Sequence, residues 1–367
     1  MKIECLINKI KPLVIAAEKV TAKNHSLPVL SLIVLEASNN NLKIKSTNLE
    51  VGLEAFLPVK VISPGHLAVN AQVFSQFLNL STKNDDKLEM ELVDNNLILK
   101  TSQSTSTLKT YPIDDFPIIP KIKNEEDLII PLIDFITGVK SVIYASATSD
   151  IKPEIASVFI YQKQDYLVFV STDSFRLAEK SIKYSSNISF PSLIIPIKNI
   201  SEILRVLEDE SGELKIKASE NQISFLTNNF HLTSRVINSN FPDYQQIIPK
   251  DFKTEIELVK DDFINSLKLS NIFSDKFNQI TIKTTESRDG CEIYSHNQEV
   301  GDNKTIIKAV IIGNDISVNF NSRFITDSLG CFTDNKVKLC FSDKNRATLI
   351  LGLNNSSFKY LVMPVNR

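Results

Sequence analysis

One pattern recurs three times along these 367 residues, and it limits the fold more than any single motif does. The stretch LKIKSTNLEVGLEA at 42–55 reads as an alternating strand ending in Ser-Thr, a polar turn at Asn48, and a second strand. LVFVSTDSFRLAEK at 167–180 repeats it with Asp173 at the turn, and CEIYSHNQEVGDNK at 291–304 is a weaker third copy. The spacing is about 125 residues each time, which marks an internal repeat.

Other landmarks keep that spacing. A helical pattern opens each third: LINKIKPLVIAAEKV from Leu6, LIDFITGVKSVIYAS from Leu132 and LVKDDFINSLKLSNI from Leu258. A second follows later in each: VNAQVFSQFLNL from Val69, PIKNISEILRVL from Pro196 and VNFNSRFITDSL from Val318. Each third then ends in a strand running into proline: STLKTYPIDDFPIIP, HLTSRVINSNFPDYQQIIP and SFKYLVMPV. Between these lie short alternating strands such as KLEMELV, ELKIKAS and QITIKT, set apart by turn signals such as Asp94-Asn95-Asn96. The expected organisation is three domains, 1–121, 122–249 and 250–367, each an α+β unit of two helices packed on antiparallel sheet. Pro12 is expected near the first turn of its helix, where a missing N–H costs little.

The residue inventory argues against most enzyme classes. No GxxxxGK[ST], GxGxxG, HExxH or GxSxG occurs, and nine glycines leave few loops able to wrap a phosphate. His25, His66, His231 and His296 are scattered. Cys5, Cys291, Cys331 and Cys340 form no CxxC pair, so they read as reduced core residues of a cytosolic protein, with no metal and no cofactor expected. The first residues, MKIECLINKIKPLVIAA, lack a clean apolar stretch with a cleavage site, and no run reaches the ~18 apolar residues of a membrane span. A cytoplasmic protein without a membrane partner is expected. A net charge of −2 does not advertise nucleic-acid binding, but binding follows local charge rather than the sum.

Asp173 and Arg176 invite a catalytic reading, as base and anion clamp on a phosphorylated substrate. An Asp directly after a strand also shapes its own turn, and the first repeat has Asn48 there, which makes the turn but is no base. The counterpart of Arg176 in the first repeat is the apolar Val51, so the arginine points to a site special to the middle domain. The first helical segment carries Lys9, Lys11, Lys19 and Lys23 against Glu18, with Lys9 and Lys23 about four turns apart and expected on one face. A solvated helix face and a phosphate-contacting surface would both look like this. The matching later helices hold fewer cations: Lys140, then Lys260 and Lys268 beside Asp261 and Asp262.

Taken together, the three-fold period, STDSFRLA, SNFPDYQQIIP, LPVLSLIVLEA, VNFNSRFITDSL and the terminal YLVMPVNR resemble the bacterial DNA polymerase III β-subunit family, the sliding clamps, over the whole chain. The resemblance implies a non-catalytic processivity factor: a head-to-tail homodimer of three clamp domains per protomer, closing a six-domain ring around double-stranded DNA. Helices would line the hole, and contacts would be to phosphates without sequence readout. Its partners would be the DNA polymerase III alpha subunit, the clamp loader delta subunit and other proteins bearing a clamp-binding motif.

Carried over by motif, a peptide-binding pocket between the second and third domains would use Ile155, Thr172, Ser174, Phe175, Arg176 and Leu177. It would add Pro242, Gln246 and Ile247, Asn321 and Phe324, and Val362, Met363, Pro364 and Val365. Lys9, Lys19, Lys23 and Lys198 would face DNA, and Leu108, Ile272 and Phe273 would lie at the dimer interface. Ser174 and Phe175 stand where the family has Gly and usually His, and Gln246 replaces an arginine. The wall is therefore expected to be bulkier and more apolar. Two other readings are the enzyme already described and a monomeric repeat adaptor using the same pocket without encircling DNA.

Overall fold

The computed structural model describes residues 1–22, 27–81, 87–122, 128–184 and 189–365. Six α-helices occur among them: α1 (Ile7–Lys19), α2 (Ala71–Leu80), α3 (Leu132–Lys140), α4 (Ile197–Leu207), α5 (Lys260–Ile272) and α6 (Ser322–Leu329). They fall as one pair per sequence repeat, as the periodicity requires. Every strand pairing among the described residues is antiparallel. The α+β organisation expected from the sequence, helix pairs with antiparallel sheet, is the one observed.

The helices form because their apolar residues recur at i, i+3, i+4 and i+7. In α4 these are Ile200, Ile203, Leu204 and Leu207, all buried. In α1 they are Ile7, Ile10, Leu13, Val14 and Ala17. Each large aliphatic side chain removed from water contributes about 1.5–3 kcal/mol. Two starts are capped by asparagine: Asn70 Oδ1 accepts from the Val73 amide at 3.0 Å, and Asn321 Oδ1 from the Arg323 amide at 3.0 Å. Pro12 lies inside α1 rather than in its first turn. It has no N–H to offer the carbonyl one turn back, and burial of the helix's apolar face carries the helix past it.

The chain gathers into two compact units. The first, Met1–Ile136 with Lys198–Asn238, holds a 13-stranded sheet in which the strand Phe230–Arg235 pairs with Val51–Pro58. The second, Thr137–Ile197 with Ser239–Arg367, holds a 12-stranded sheet in which Arg176–Lys183 pairs with Phe358–Val362. Residues 122–249, one repeat in sequence, thus supply strands to both sheets.

The strand–turn–strand motif is present in all three places. In the first two copies Ser-Thr ends the incoming strand, Asn41–Thr47 or Tyr166–Thr172. In the third, Ser295 sits within the strand Gly290–Asn297, so the turn comes later along the chain.

Candidate functional site

The first two turns are built from the same bonds. In the first repeat Asn48 Oδ1 accepts the Glu50 and Val51 amides at 3.0 and 2.7 Å, and Thr47 Oγ1 donates to the Val51 carbonyl at 2.9 Å. In the middle repeat Asp173 Oδ1 accepts the Phe175 and Arg176 amides, both at 2.9 Å, and Thr172 Oγ1 donates to the Arg176 carbonyl at 2.7 Å. Leu49 and Ser174 take the same left-handed position, at φ 78° and 77°. Such a φ strains any residue with a Cβ, and the side-chain bonds on either side hold it. Asp173 therefore shapes its turn as Asn48 does.

Its second oxygen does something Asn48 cannot. Asp173 Oδ2 accepts from Arg176 Nε at 2.8 Å, while Arg176 Nη1 donates to Asp327 Oδ2 of α6 at 2.8 Å. The guanidinium lies 4.5 Å from the centre of the Phe324 ring and 5.9 Å from that of Tyr144. Its side chain is 13% exposed. Burial works against the charge, yet the bonds to Asp327 and Asp173 outweigh that and raise the pKa of Arg176. Arg176 is thus a neutralised strut, not a free anion clamp, and both oxygens of Asp173 are engaged in holding the turn and the guanidinium.

Alternation along the sheet sorts the remaining residues. Arg176 is paired with Val362 and Leu177 with Leu361. Leu177 and Leu361 enter one buried cluster with Val168, Val170, Tyr244 and Leu349, against which Phe241 and Ile248 pack. The Tyr244 hydroxyl donates to Glu179 Oε2 at 2.6 Å, tying the FPDY segment to that strand. Phe241 and Tyr244 point inward, which leaves Pro242, Gln246 and Ile247 at the surface. Gln246 Nε2 donates to Asp243 Oδ2 at 2.6 Å.

At the end of the same strand pair, the Met363 amide donates to the Phe175 carbonyl at 2.8 Å. Phe175 is 62% exposed and Met363 38%, so both offer apolar surface. Pro364 and Val365 are half-buried, and the Val365 amide donates to the Asn319 carbonyl at 2.8 Å.

The structure therefore joins the turn, the FPDY segment, α6 and the terminal strand within one unit. Leu177 and Val362 are each 1% exposed and paired into the strands under this surface, while Ile155 and Thr172 are buried at 8% each. Asn321 is there as the cap of α6. Sequence reasoning missed Leu361, one residue from Val362, although two-residue alternation marks it as the partner of Leu177. It also missed Asp327 and Tyr144 around Arg176.

Among the expected DNA-facing cations, Lys9 is exposed on α1 and Lys198 on the first turn of α4. Lys19 is engaged: its Nζ donates to the Arg205 carbonyl at 2.6 Å and to Asp209 Oδ2 at 3.2 Å. α1 closes at Lys19, and Lys23 lies outside the described residues. Of the expected interface residues, Leu108 is buried against its own sheet, Ile272 is exposed at the end of α5 and Phe273 is half-buried. Among the described residues no group of three or more His, Cys, Asp or Glu is placed to hold a metal, and no helix is long and apolar enough to cross a membrane.

Comparison with known proteins gives matches along the chain. Residues 1–120, 130–243 and 245–366 match the N-terminal, central and C-terminal domains of the DNA polymerase III beta subunit, in that order. The beta sliding clamp of Bacillus subtilis is 24% identical over 366 residues, covering 95% of this chain and 94% of that protein. The beta sliding clamp of Streptococcus pneumoniae is 26% identical over 374 residues, covering 98% of each. Among solved structures, the DNA polymerase III subunit beta of Pseudomonas aeruginosa superposes with a TM-score of 0.94 at 23% identity, covering 100% of both chains. The beta subunit of Thermotoga maritima superposes with a TM-score of 0.93 at 24% identity, covering 100% of this chain and 99% of that one.

Proposed function

The chain belongs to the DNA polymerase III beta-subunit family, and from that premise we propose that it works as the sliding clamp that holds a replicative polymerase on duplex DNA. It is a processivity factor and not an enzyme. The observation that carries this reading is the tandem one: three consecutive segments, each with its helix pair and antiparallel strands, match the three domains of one family in order.

The finer parts of the reading follow. Each protomer has domains 1–121, 122–249 and 250–367, and two protomers close head to tail around DNA. Two half-free strand edges support closure. Residues 105–109 of the strand Thr105–Tyr111 pair only with Asn96–Lys100, and residues 301–308 of Gly301–Gly313 pair only with Gly290–Asn297, among the described residues. Unpaired edges of that kind are satisfied by adding a strand from another chain. Ile272 and Phe273 then act as apolar interface residues, and Leu108 acts from beneath its strand.

DNA is held by cations on lining helices. The six helices carry nine Lys and Arg against six Asp and Glu, while the whole chain is at −2. Lys9 and Lys198 are the exposed contributors, and such contacts meet phosphates rather than base edges. The surface around Phe175, Ile247 and Met363 docks short linear motifs of the polymerase alpha subunit, the clamp loader delta subunit and other clamp-binding proteins, in the cytoplasm.

The test is topological. Protein loaded by its clamp loader onto nicked circular DNA should stay bound through gel filtration, then be lost when a restriction enzyme linearises the circle. Equal retention on circular and linear DNA would refute encirclement. Sedimentation as a strict monomer at micromolar concentration would favour the adaptor reading instead.

A further inference from the structure

The first repeat carries a counterpart of the docking surface, and it is open. The Ala22 amide donates to the Leu30 carbonyl at 3.0 Å, as the Ala147 amide does to the Ile155 carbonyl at 3.0 Å. The Leu30 amide donates to the Leu27 carbonyl, as the Ile155 amide does to that of Lys152. Phe116 packs with Leu32 and Val34, as Phe241 stacks on Phe159 at 4.7 Å between ring centres. Leu30 thus stands where Ile155 stands in the middle repeat, and Pro117, following Phe116, where Pro242 follows Phe241.

Between these two landmarks of the first repeat lies a groove of about 540 Å³. Leu27, Pro28, Leu30 and Pro117 give it an apolar lining, with Tyr111 on its wall. Leu27 and Tyr111 are 50% and 45% exposed, so the groove offers apolar surface to water. The charge differs from that of the middle repeat. Where Arg176 stands there, Val51 stands here, and among the described residues the charged side chain lining the groove is the carboxylate of Asp115.

We infer that this groove is a second short-peptide site, taking a segment with a large apolar anchor next to a basic residue. The anchor fills the space over Leu30 and Pro117, Tyr111 covers it, and the cation meets Asp115. A groove of this size, mostly apolar with one charged group at its rim, has the make-up of a peptide-anchoring pocket. The inference draws on the docking reading of the middle repeat for its analogy. Its evidence, however, is the first repeat's own groove, and it makes its own claim about ligand charge.

The test uses the full-length protein and a fluorescein-labelled hexapeptide, Gly-Lys-Pro-Leu-Phe-Gly, with fluorescence anisotropy as the readout. A second peptide carries Glu in place of Lys. Binding of the Lys peptide, measured in a Phe175→Asp background so that the middle-repeat surface does not contribute, should weaken at least about tenfold on adding Tyr111→Ala or Asp115→Lys. The Glu peptide should bind wild type at least about tenfold more weakly, and Asp115→Lys should reverse that order. Because both groove residues are exposed, unchanged thermal unfolding of the variants separates lost binding from lost folding. Absence of binding at about 0.5 mM protein, a concentration that captures most interactions stronger than a millimolar Kd, overturns the inference. So does binding that ignores both groove substitutions, and so does loss only in Phe175→Asp, which would put the peptide at the middle-repeat turn. Retention on circular DNA is measured separately, so failure here leaves the clamp reading standing.

Discussion

Replacing Asp173 by Asn isolates what the carboxylate adds to the turn. Asn48 shows that an amide oxygen can accept both turn amides, so Asp173→Asn keeps the bonds to Phe175 and Arg176 N–H. What it loses is the ionic bond from Oδ2 to Arg176 Nε at 2.8 Å. A hydrogen bond to a charged group contributes about 1.5–3 kcal/mol. Here Asp327 still holds the other side of the guanidinium, so the expected loss is about 1–2 kcal/mol. Asp173→Ala removes the two amide bonds as well and should cost about 1–3 kcal/mol more. The assay is urea denaturation of Asp173→Asn, Asp173→Ala, Arg176→Met and the Asn/Met double variant, analysed as a double-mutant cycle. Asn and Met should couple by about 1–2 kcal/mol, because without the guanidinium the carboxylate has nothing to hold. Equal losses for Asn and Ala, or a coupling near zero, would refute the division of labour between the two oxygens.

Two further substitutions probe the cores around the sites. A Cβ on Gly138 in α3 would stand 2.5 Å from Cε2 of the fully buried Phe169. Gly138→Ala should therefore destabilise by about 1–3 kcal/mol in thermal unfolding despite alanine's higher helix propensity, and a stabilised variant would show that the contact relaxes freely. Burial raises the pKa of Glu202, with the bond from Asn48 Nδ2 at 2.6 Å pulling the other way. A carboxyl whose folded pKa is raised favours the folded state most when protonated, and loses that advantage as pH rises through the folded value. Glu202→Gln should thus be more stable than wild type at neutral pH, with the gap closing below the ordinary carboxylate range. A pH-independent difference would contradict it.

What could be read from the sequence was what repeats or alternates locally. The helix pairs were legible because apolar spacing is set by the helical turn itself, and Asp173's turn role because Asn48 occupies the same place in a second copy. The residues around Arg176 were not. Asp327 is separated from it by 151 positions, and only the fold brings α6 under the turn. Lys19 looked like a free cation for the same reason, since Asp209 lies 190 positions away. Pro12 is the sixth residue of α1, past the first turn where it was expected, although the helix starts at Ile7, within a residue of the pattern read from Leu6.

The Arg176 geometry also changes what a docked partner can recognise. With both neighbours carboxylates and a ring beneath it, the guanidinium brings little net charge to the surface. An acidic peptide gains less from it than the sequence suggested. The outward groups are instead Phe175, Ile247 and Met363, with Gln246 already bonded to Asp243. In the docking proposed above, recognition at this surface would rest on apolar shape, and on backbone groups near the Phe175–Met363 junction. Arg176 contributes by fixing the turn from which Phe175 projects. Loss of Arg176 should therefore disturb peptide binding through the position of Phe175, largely independent of salt, whereas a direct ionic contact would weaken steadily as salt is raised.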